Sequence, residues 1–574
     1  MLRRWTPGLV LVRRYRRQWL GRDLLAALAL TGLLVPQGMA YAELAGLPPV
    51  TGLYTSVIAL LGYALFGPSP ILVVGPDSAL GPMIAAAILP LVGAEGDPAR
   101  GVGIGGFLAL MMGLCCFIAG VGRAGAVTEL LSRPVRVGYL NGLAIVILVS
   151  QLPKLFGFST SAHGLGPEAR SFFSGIDHGQ AVPAALGTGL GCLVVIMAVR
   201  LWRPRAPGVF LAVVAATLVV AAFDLSAHGV PVLGVIPSGF PAPALPGVGL
   251  HDSGRLALAA LGMAFVSVAD TSALSRSLAA RRGSPVDQNQ ELVALGVTNM
   301  VVSFFQGFPV SASASRTVVA ETSGSRTQLT GALGGAAILV LLTAAPGLLK
   351  DLPDSALAAI VIAAAFGLLD LGALVWLWKV RKSELLLSLA ALAGVAVLGV
   401  LPGIPVAIAL SLAEFVRRQW RPHSAVLGRI RGRKGYHDVG RHPEAVQIPG
   451  LAIYRFDAPL FFANADFFTK GVKAAIASRP DRISWVVLAA EPVTDIDTTG
   501  AEALSHLMDQ LNADGVQLVF AGLKGPVKDR LRVYGLYDRL GDKGFYSTLG
   551  TAVDGYLDVS GVEWVDWSDE AQGS

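Results

Sequence analysis

The sequence predicts a polytopic α-helical membrane protein followed by a small α/β domain. Three observations carry this expectation. Apolar residues make up 53% of the 574 and charged residues 15%, against about 25% charged in soluble chains. Apolar segments long enough to cross a bilayer recur from Leu24 to Phe415. From about residue 440 charged residues return, and β-rich runs alternate with helix-like ones.

The first 23 residues, MLRRWTPGLVLVRRYRRQWLGRD, are basic and include Trp5, Tyr15 and Trp19. No small-residue cleavage motif follows, so segment 1–23 reads as a retained cytoplasmic stretch on the inner leaflet. About fourteen apolar segments of about 17–25 residues come next. They run 24–46, 52–66, 71–93, 102–122, 137–157, 180–200, 207–224, 254–279, 288–306, 310–324, 328–348, 354–371, 374–398 and 401–417. Their loops give the orientation. With the N-terminus inside, the cytoplasmic connections carry Arg123, Arg133 and Arg136, then Arg200, Arg203 and Arg205. Further on they carry Arg281 and Arg282, Arg326, and Lys379, Arg381 and Lys382, and the last segment ends in Arg417, Arg418 and Arg421. The opposite loops, such as VPVLGVIPSGFPAPALPGVG, are poor in Lys and Arg, as the positive-inside rule requires. The even count puts both termini in the cytoplasm and the spans in the cytoplasmic membrane.

The extracytoplasmic linker 225–253 divides the spans into two halves, 24–224 and 254–418. An odd number of spans in each forces them into opposite orientations, which is the condition for a 7+7 inverted repeat. Two stretches break the apolar pattern at equivalent places, VGPDSALGP (74–82) and GFPVSASASRTVVAETSG (307–324). Gly/Pro interruptions in corresponding positions of two halves point to a carrier's binding site. Irregular backbone at membrane depth survives only inside protein or beside a wet cavity. A helix is expected to start near Ser311 to Ser315 and another after Gly75-Pro76. Two half-helix N-termini, each with about half a positive charge, would then meet at the midplane and favour an anion. The plain alternative for 307–324 is a cytoplasmic loop between two spans.

The basic linker 419–440 precedes an α/β domain over 441–560 and a tail, 561–574. The expected strands are 451–462, 483–490 and 516–523, with helices at 465–478 and 499–513.

Several of these stretches resemble one known family. VPQGMAYAELAGLPPVTGLYTS (35–56) resembles the signature of the SulP anion permeases, and ILVVGPDSALGPM and GFPVSASASRTVVAETSG resemble its third and tenth spans. DIDTTGAEAL (495–504) is similar to the core of a STAS domain, the family's usual cytoplasmic tail. The resemblance covers nearly the whole chain. It implies fourteen spans in core and gate subdomains, a homodimer, and transport of anions such as sulfate, bicarbonate, chloride or dicarboxylates.

The candidate site residues follow from both readings. Gln37 comes after Pro36, where the helix loses a hydrogen bond, and its amide can donate to an oxyanion. The resemblance turns it toward the substrate, while the plain reading is a packing bond at the kink. Tyr41 lies on the same helical face and would cap the cavity or simply pack. Gly75 provides the turn. Ser78 would give a hydroxyl ligand. Asp77 would either cap the helix and face away or be protonated when substrate binds, which would couple protons. Ser313, Ala314 and Ser315 match the small and hydroxyl residues that precede the family's tenth-span arginine, here Arg316. An arginine at membrane depth is costly and usually functional, and its fork binds two oxygens; the alternative is an arginine paired for packing. Asp270, in FVSVADTSALS, would carry a proton, bind a coupling cation or balance Arg316. Sodium-coupled relatives tend to have a hydroxyl four residues further on, where this chain has Leu274 followed by Ser275, so protons or passive exchange are favoured over sodium. Glu43, near a span end, reads as interfacial.

In the tail, Thr498 and Thr499 occupy the place of a hydroxyl that is phosphorylated in soluble STAS proteins. Thr499 with Glu502 also has capping-box spacing. Cys115, Cys116 and Cys192 lie in apolar runs and read as packing. The eight histidines show no ligand spacing. No metal and no cofactor is expected, and neither a nucleophile–base triad nor a phosphate loop supports an enzyme. The +6 charge is concentrated in loops, which reports orientation in a lipid membrane rather than nucleic-acid binding. The leading expectation is a secondary active, elevator-type carrier of small oxyanions coupled to protons, with a partner protein on the STAS tail. Its rivals are a STAS-mediated signalling module whose spans sense an anion, and a nucleobase permease on the same plan.

Overall fold

The computed structural model describes residues 6–8, 15–92, 97–123, 132–160, 162, 164–203, 206–283 and 286–564; Trp5, Arg205 and tail residues 565–574 lie outside the described residues. The chain forms two compact units, Met1–Ser411 and Leu412–Ser574.

The first unit is helical. Its helices are α1 (Leu20–Leu44), α2 (Pro49–Phe66), α3 (Gly81–Val92), α4 (Pro98–Val121), α5 (Arg133–Leu155), α6 (Leu165–Asp177), α7 (Pro183–Trp202) and α8 (Gly208–Ala222). After the linker come α9 (Leu250–Arg282), α10 (Gln288–Ser303), α11 (Ala314–Thr322), α12 (Leu329–Ala344), α13 (Asp354–Leu368), α14 (Leu371–Val380), α15 (Lys382–Ala393) and α16 (Val400–Trp420). Among the described residues eight helices are long and apolar enough to cross a membrane, and three shorter apolar helices accompany them.

Contacts divide these helices into two bundles. One holds α1–α4 and α9–α12; its tightest pair is α4 with α10. The other holds α5, α7, α8, α13 and α15, with α16 joined through Val135, Ala391 and Ala407. We call them the core and the gate. They meet chiefly where α13 and α8 pack on α1. The crossing of α1 and α2 is close enough to demand glycine: a Cβ on Gly52 would lie 1.9 Å from the Gly38 carbonyl oxygen.

Every expected apolar segment contains helix, with two departures. Segment 374–398 is not continuous, because extended backbone at Arg381 separates α14 from α15. Helix α6 lies in a stretch read as loop. Both α6 and α14 follow the fifth segment of their half. α14 exposes Leu371, Val375, Trp376 and Trp378, so its sequence looks apolar without being buried.

The second unit is a six-stranded sheet in the order β4-β3-β5-β6-β7-β8. Its strands are β3 (Ser424–Arg429), β4 (Tyr436–Asp438), β5 (Leu451–Phe456), β6 (Trp485–Ala489), β7 (Gln517–Ala521) and β8 (Phe545–Tyr546). β5 to β8 are parallel, and β3 is antiparallel to both neighbours. Alternation along β5 feeds two cores: Ala452, Tyr454 and Phe456 face α17 (Ala465–Ala477) and α18 (Thr498–Ala513), while Leu451 and Ile453 face the last helix, Leu549–Ser560. β3 and β4 lie within 419–440, the stretch read as linker. Its charge density hid a pair of strands.

Thr499 does not cap α18. The N-cap is Asp497, whose carboxylate accepts the Gly500 N–H at 2.7 Å and the Phe462 N–H at 2.9 Å. The carboxylate two residues earlier offers a separate oxygen to each donor, Oδ1 to Gly500 and Oδ2 to Phe462. Asp497→Ala should cost about 1 kcal/mol of local stability, read as roughly fivefold faster amide exchange at Gly500 and Phe462.

Candidate anion site

The two broken stretches find each other across more than half of the membrane unit. Val74–Gly75 (β1) and Ser311–Ala312 (β2) form a two-residue antiparallel pair, Val74 with Ala312 and Gly75 with Ser311. Two further bonds extend the pair: Ser313 N–H donates to the Val73 carbonyl at 3.0 Å, and Val73 N–H to Thr317 Oγ1 at 3.1 Å. Each strand leads into a helix, β1 through a turn into α3 and β2 into α11. In α11 the first intrahelical bond is from Thr317 N–H to the Ser313 carbonyl, so the N–H groups of Ala314, Ser315 and Arg316 precede it and point outward. Ala314 and Ser315 are exposed, and the Ser313 and Ser315 hydroxyls lie 3.2 Å apart.

Arg316 is the largest fully buried side chain, at 0% exposure. Its Nη2 donates to the Gly75 carbonyl at 3.4 Å and stands 3.9 Å from Asp77 Oδ1. Its Nε and Nη1 have no hydrogen-bond partner among the described residues. Asp77 caps the turn without facing away from the site. Oδ2 caps the turn by accepting the Ala79 N–H at 3.1 Å, while Oδ1 faces Arg316. Gly75 is needed for contact rather than for its backbone angle, since a Cβ would lie 2.9 Å from Arg316 Nη1. Gly75→Ala should displace the guanidinium and raise the KM for the anion about tenfold or more, the scale of one hydrogen bond to a charged group. Uptake kinetics with an unchanged melting temperature would establish this.

Gln37 is buried and its Oε1 has no partner among the described residues. Tyr41 lies beside Ser78, within electrostatic reach of Arg316 and Asp77. Ser311, 2% exposed, likewise leaves its hydroxyl without a partner among the described residues. Asp270 does not balance Arg316: no ion pair joins them among the described residues. Its electrostatic neighbours are Asp77 and, from the gate, Arg136. Tyr139, also on α5, is within electrostatic reach of Asp270 and donates to Met83 Sδ at 3.5 Å. Arg136 and Tyr139 were not singled out as site residues. Arg136 entered only as a loop charge, and nothing local marks either as facing Asp270. Thr498 and Thr499 are exposed at the start of α18. Among the described residues no group of His, Cys, Asp and Glu could hold a metal ion.

A many-helix bundle with a buried guanidinium beside the crossing of two broken membrane elements defines the class: a polytopic membrane protein with a candidate anion site. The sulfate permease family model matches residues 20–391, and the STAS domain model matches 442–552. A protein named "Probable sulfate transporter" from Mycobacterium tuberculosis is 40% identical over 552 residues, covering 96% of this chain and 98% of that one. Human solute carrier family 26 member 6 is 34% identical over 491 residues, covering 81% and 64%. In fold, the murine solute carrier 26 family member A9 superposes with a TM-score of 0.87 at 24% identity, covering 96% of this chain and 93% of that one. The chain belongs to the sulfate permease family of membrane anion transporters and carries a C-terminal STAS domain.

Proposed function

We propose that this chain is a secondary active carrier of a small oxyanion, with sulfate first among sulfate, bicarbonate and dicarboxylates. The observation that carries this is Arg316, fully buried at the β1–β2 crossing with two donors left over. An oxyanion accepts those donors together with the open N–H groups of Ala314 and Ser315 and the Ser78 and Ser313 hydroxyls. Gln37 and Tyr41 close the site from α1. The names of the relatives support sulfate, and a cyanobacterial bicarbonate transporter shares the membrane fold at TM-score 0.59.

The mechanism is elevator-like. The core carries β1, β2, α3 and α11 as one body and moves the anion past α5 and α13 of the gate. The fourteen segments form a 7+7 inverted repeat, which makes the two end states near-equivalent. The first four segments of each half build the core and the last three the gate, which supports this reading. Protons are the coupling ion, with Asp270 the group that takes them up. The protein is a homodimer in the cytoplasmic membrane with both termini inside, and its STAS domain, regulated at Thr498 or Thr499, receives a partner protein.

The test is uptake into proteoliposomes of labelled sulfate, bicarbonate and fumarate, at several pH values, with and without a sodium gradient. Sulfate uptake that rises with an inward proton gradient and ignores sodium is the expected result. Binding of an anion without uptake of any would overturn the carrier reading.

A further inference from the structure

Helix α1 ends on an acid that its own polarity disfavours. Glu43 lies in the last turn, at the negative end of the helix. Its Oε2 is 3.2 Å from Lys154 Nζ. Lys154 sits in the last turn of α5, where a cation is favoured, and Asp354 opens α13, where an acid is favoured. Asp354 interacts electrostatically with both Glu43 and Lys154. Its backbone is fixed, because its N–H donates to the Pro231 carbonyl at 3.1 Å. The side chains of Glu43 and Lys154 are 12% and 29% exposed, dry enough for the pairing to matter. Glu43 belongs to the core, Lys154 and Asp354 to the gate. All three lie at helix ends opposite the arginine-rich loops.

One ammonium is thus paired with a carboxylate of the core, Glu43, and lies within electrostatic reach of a second, Asp354 of the gate, with which it makes no ion pair among the described residues. Both of the gate's own charges are stable where they stand. Only Glu43 depends on the other body for its partner. When the core moves along the gate, Glu43 leaves with it, and Lys154 needs a second acceptor to avoid standing unpaired in a half-buried place. Asp354 is that acceptor, and it stays with the gate.

We propose that Glu43, Lys154 and Asp354 are positioning residues of the transport cycle: Lys154 docks the core by pairing with Glu43 and passes to Asp354 when the core departs. The proposal rests on the reading that the core moves against the gate. It assigns the two acids opposite effects. Glu43 stabilises the docked arrangement and Asp354 the separated one.

The experiment uses the full chain in lipid discs, spin-labelled at cysteines replacing exposed Arg100 of α4, in the core, and Asp177 of α6, which packs on α5 of the gate. The core–gate distance distribution is measured with and without sulfate. Glu43→Gln should raise the separated-to-docked ratio about fivefold, and Asp354→Asn should lower it by a similar factor, the scale of a partly exposed ion pair. Lys154→Arg should leave the ratio near that of the unsubstituted chain. Glu43→Asp, which shortens the arm, should act like Glu43→Gln by a smaller factor and serves if the amide does not fold. Two distances in the unsubstituted chain with both acid substitutions silent, or moving the ratio the same way, would overturn the latch alone. A single distance in every sample would overturn the moving-core reading and the latch with it.

Discussion

Arg316→Ala is expected to abolish anion uptake, lowering it at least about 100-fold. The guanidinium has two donors free for substrate, and hydrogen bonds to a charged group contribute about 1.5–3 kcal/mol each, so losing both costs a factor of 100 or more at about 1.4 kcal/mol per decade. Arg316→Lys keeps the charge without the fork and should fall between. Stability needs separate treatment. Removing Arg316 leaves Asp77 facing no cation, and an uncompensated charge in a buried place destabilises. Asp77 retains its bond from the Ala79 N–H, and its distance to Arg316 is a long 3.9 Å, so the loss should be smaller than for a tight pair. The double substitution Arg316→Ala with Asp77→Asn separates the two effects. Its melting temperature should recover toward that of the unsubstituted protein while its uptake stays absent. Uptake close to normal in folded Arg316→Ala would remove the guanidinium from the site.

The broken elements were legible because glycine and proline inside an apolar run leave few choices in hydrocarbon. Pro309, Ser311 and Arg316 mark a place where a continuous span cannot be. The pairing of β1 with β2 was not legible as such. The sequence placed both stretches at equivalent positions, but which residue opposes which is decided by tertiary packing. The same holds for Asp270, whose neighbours Arg136 and Tyr139 come from the other bundle. Apolar content alone could not separate α14 from α15, since a lipid-facing or interfacial helix and a buried one share a composition. The cap of α18 shows a local ambiguity. Asp497 and Thr499 are both good N-caps, and only the Phe462 N–H, from a distant loop, favours the aspartate. Glu43 read as an ordinary interfacial charge at a span end, and Lys154 was not singled out. Nothing in either flank says that the two ends meet.

Asp270→Asn is expected to uncouple uptake from protons. The site region holds two carboxylates, Asp77 and Asp270, and two guanidinium groups, Arg316 beside Asp77 and Arg136 within electrostatic reach of Asp270 from the gate. An incoming oxyanion adds negative charge to a region where solvent screens little. Neutralising one carboxylate removes that excess, and a proton from the outer solution does so more often the more acidic that solution is than the inner one. Asp77 is less free to accept it, because it faces Arg316 and caps a turn. Asp270 meets Arg136 only at longer range, with no ion pair between them among the described residues, and has Asp77 as a like-charged neighbour. In the unsubstituted protein an inward proton gradient of about one pH unit should therefore raise initial uptake by up to about tenfold, the scale of one unit of proton occupancy. The sign follows from the loading step: more outside protons give more proton-loaded carrier, hence faster entry. Asparagine is permanently neutral, so Asp270→Asn should take up anion at the same rate with or without the gradient and still exchange anion for anion. Asp77→Asn should keep the gradient response and lose affinity instead, through the altered Arg316. A gradient response that survives in Asp270→Asn and vanishes in Asp77→Asn would move the proton site to the turn beside Arg316, and the cap would then have to open in each cycle.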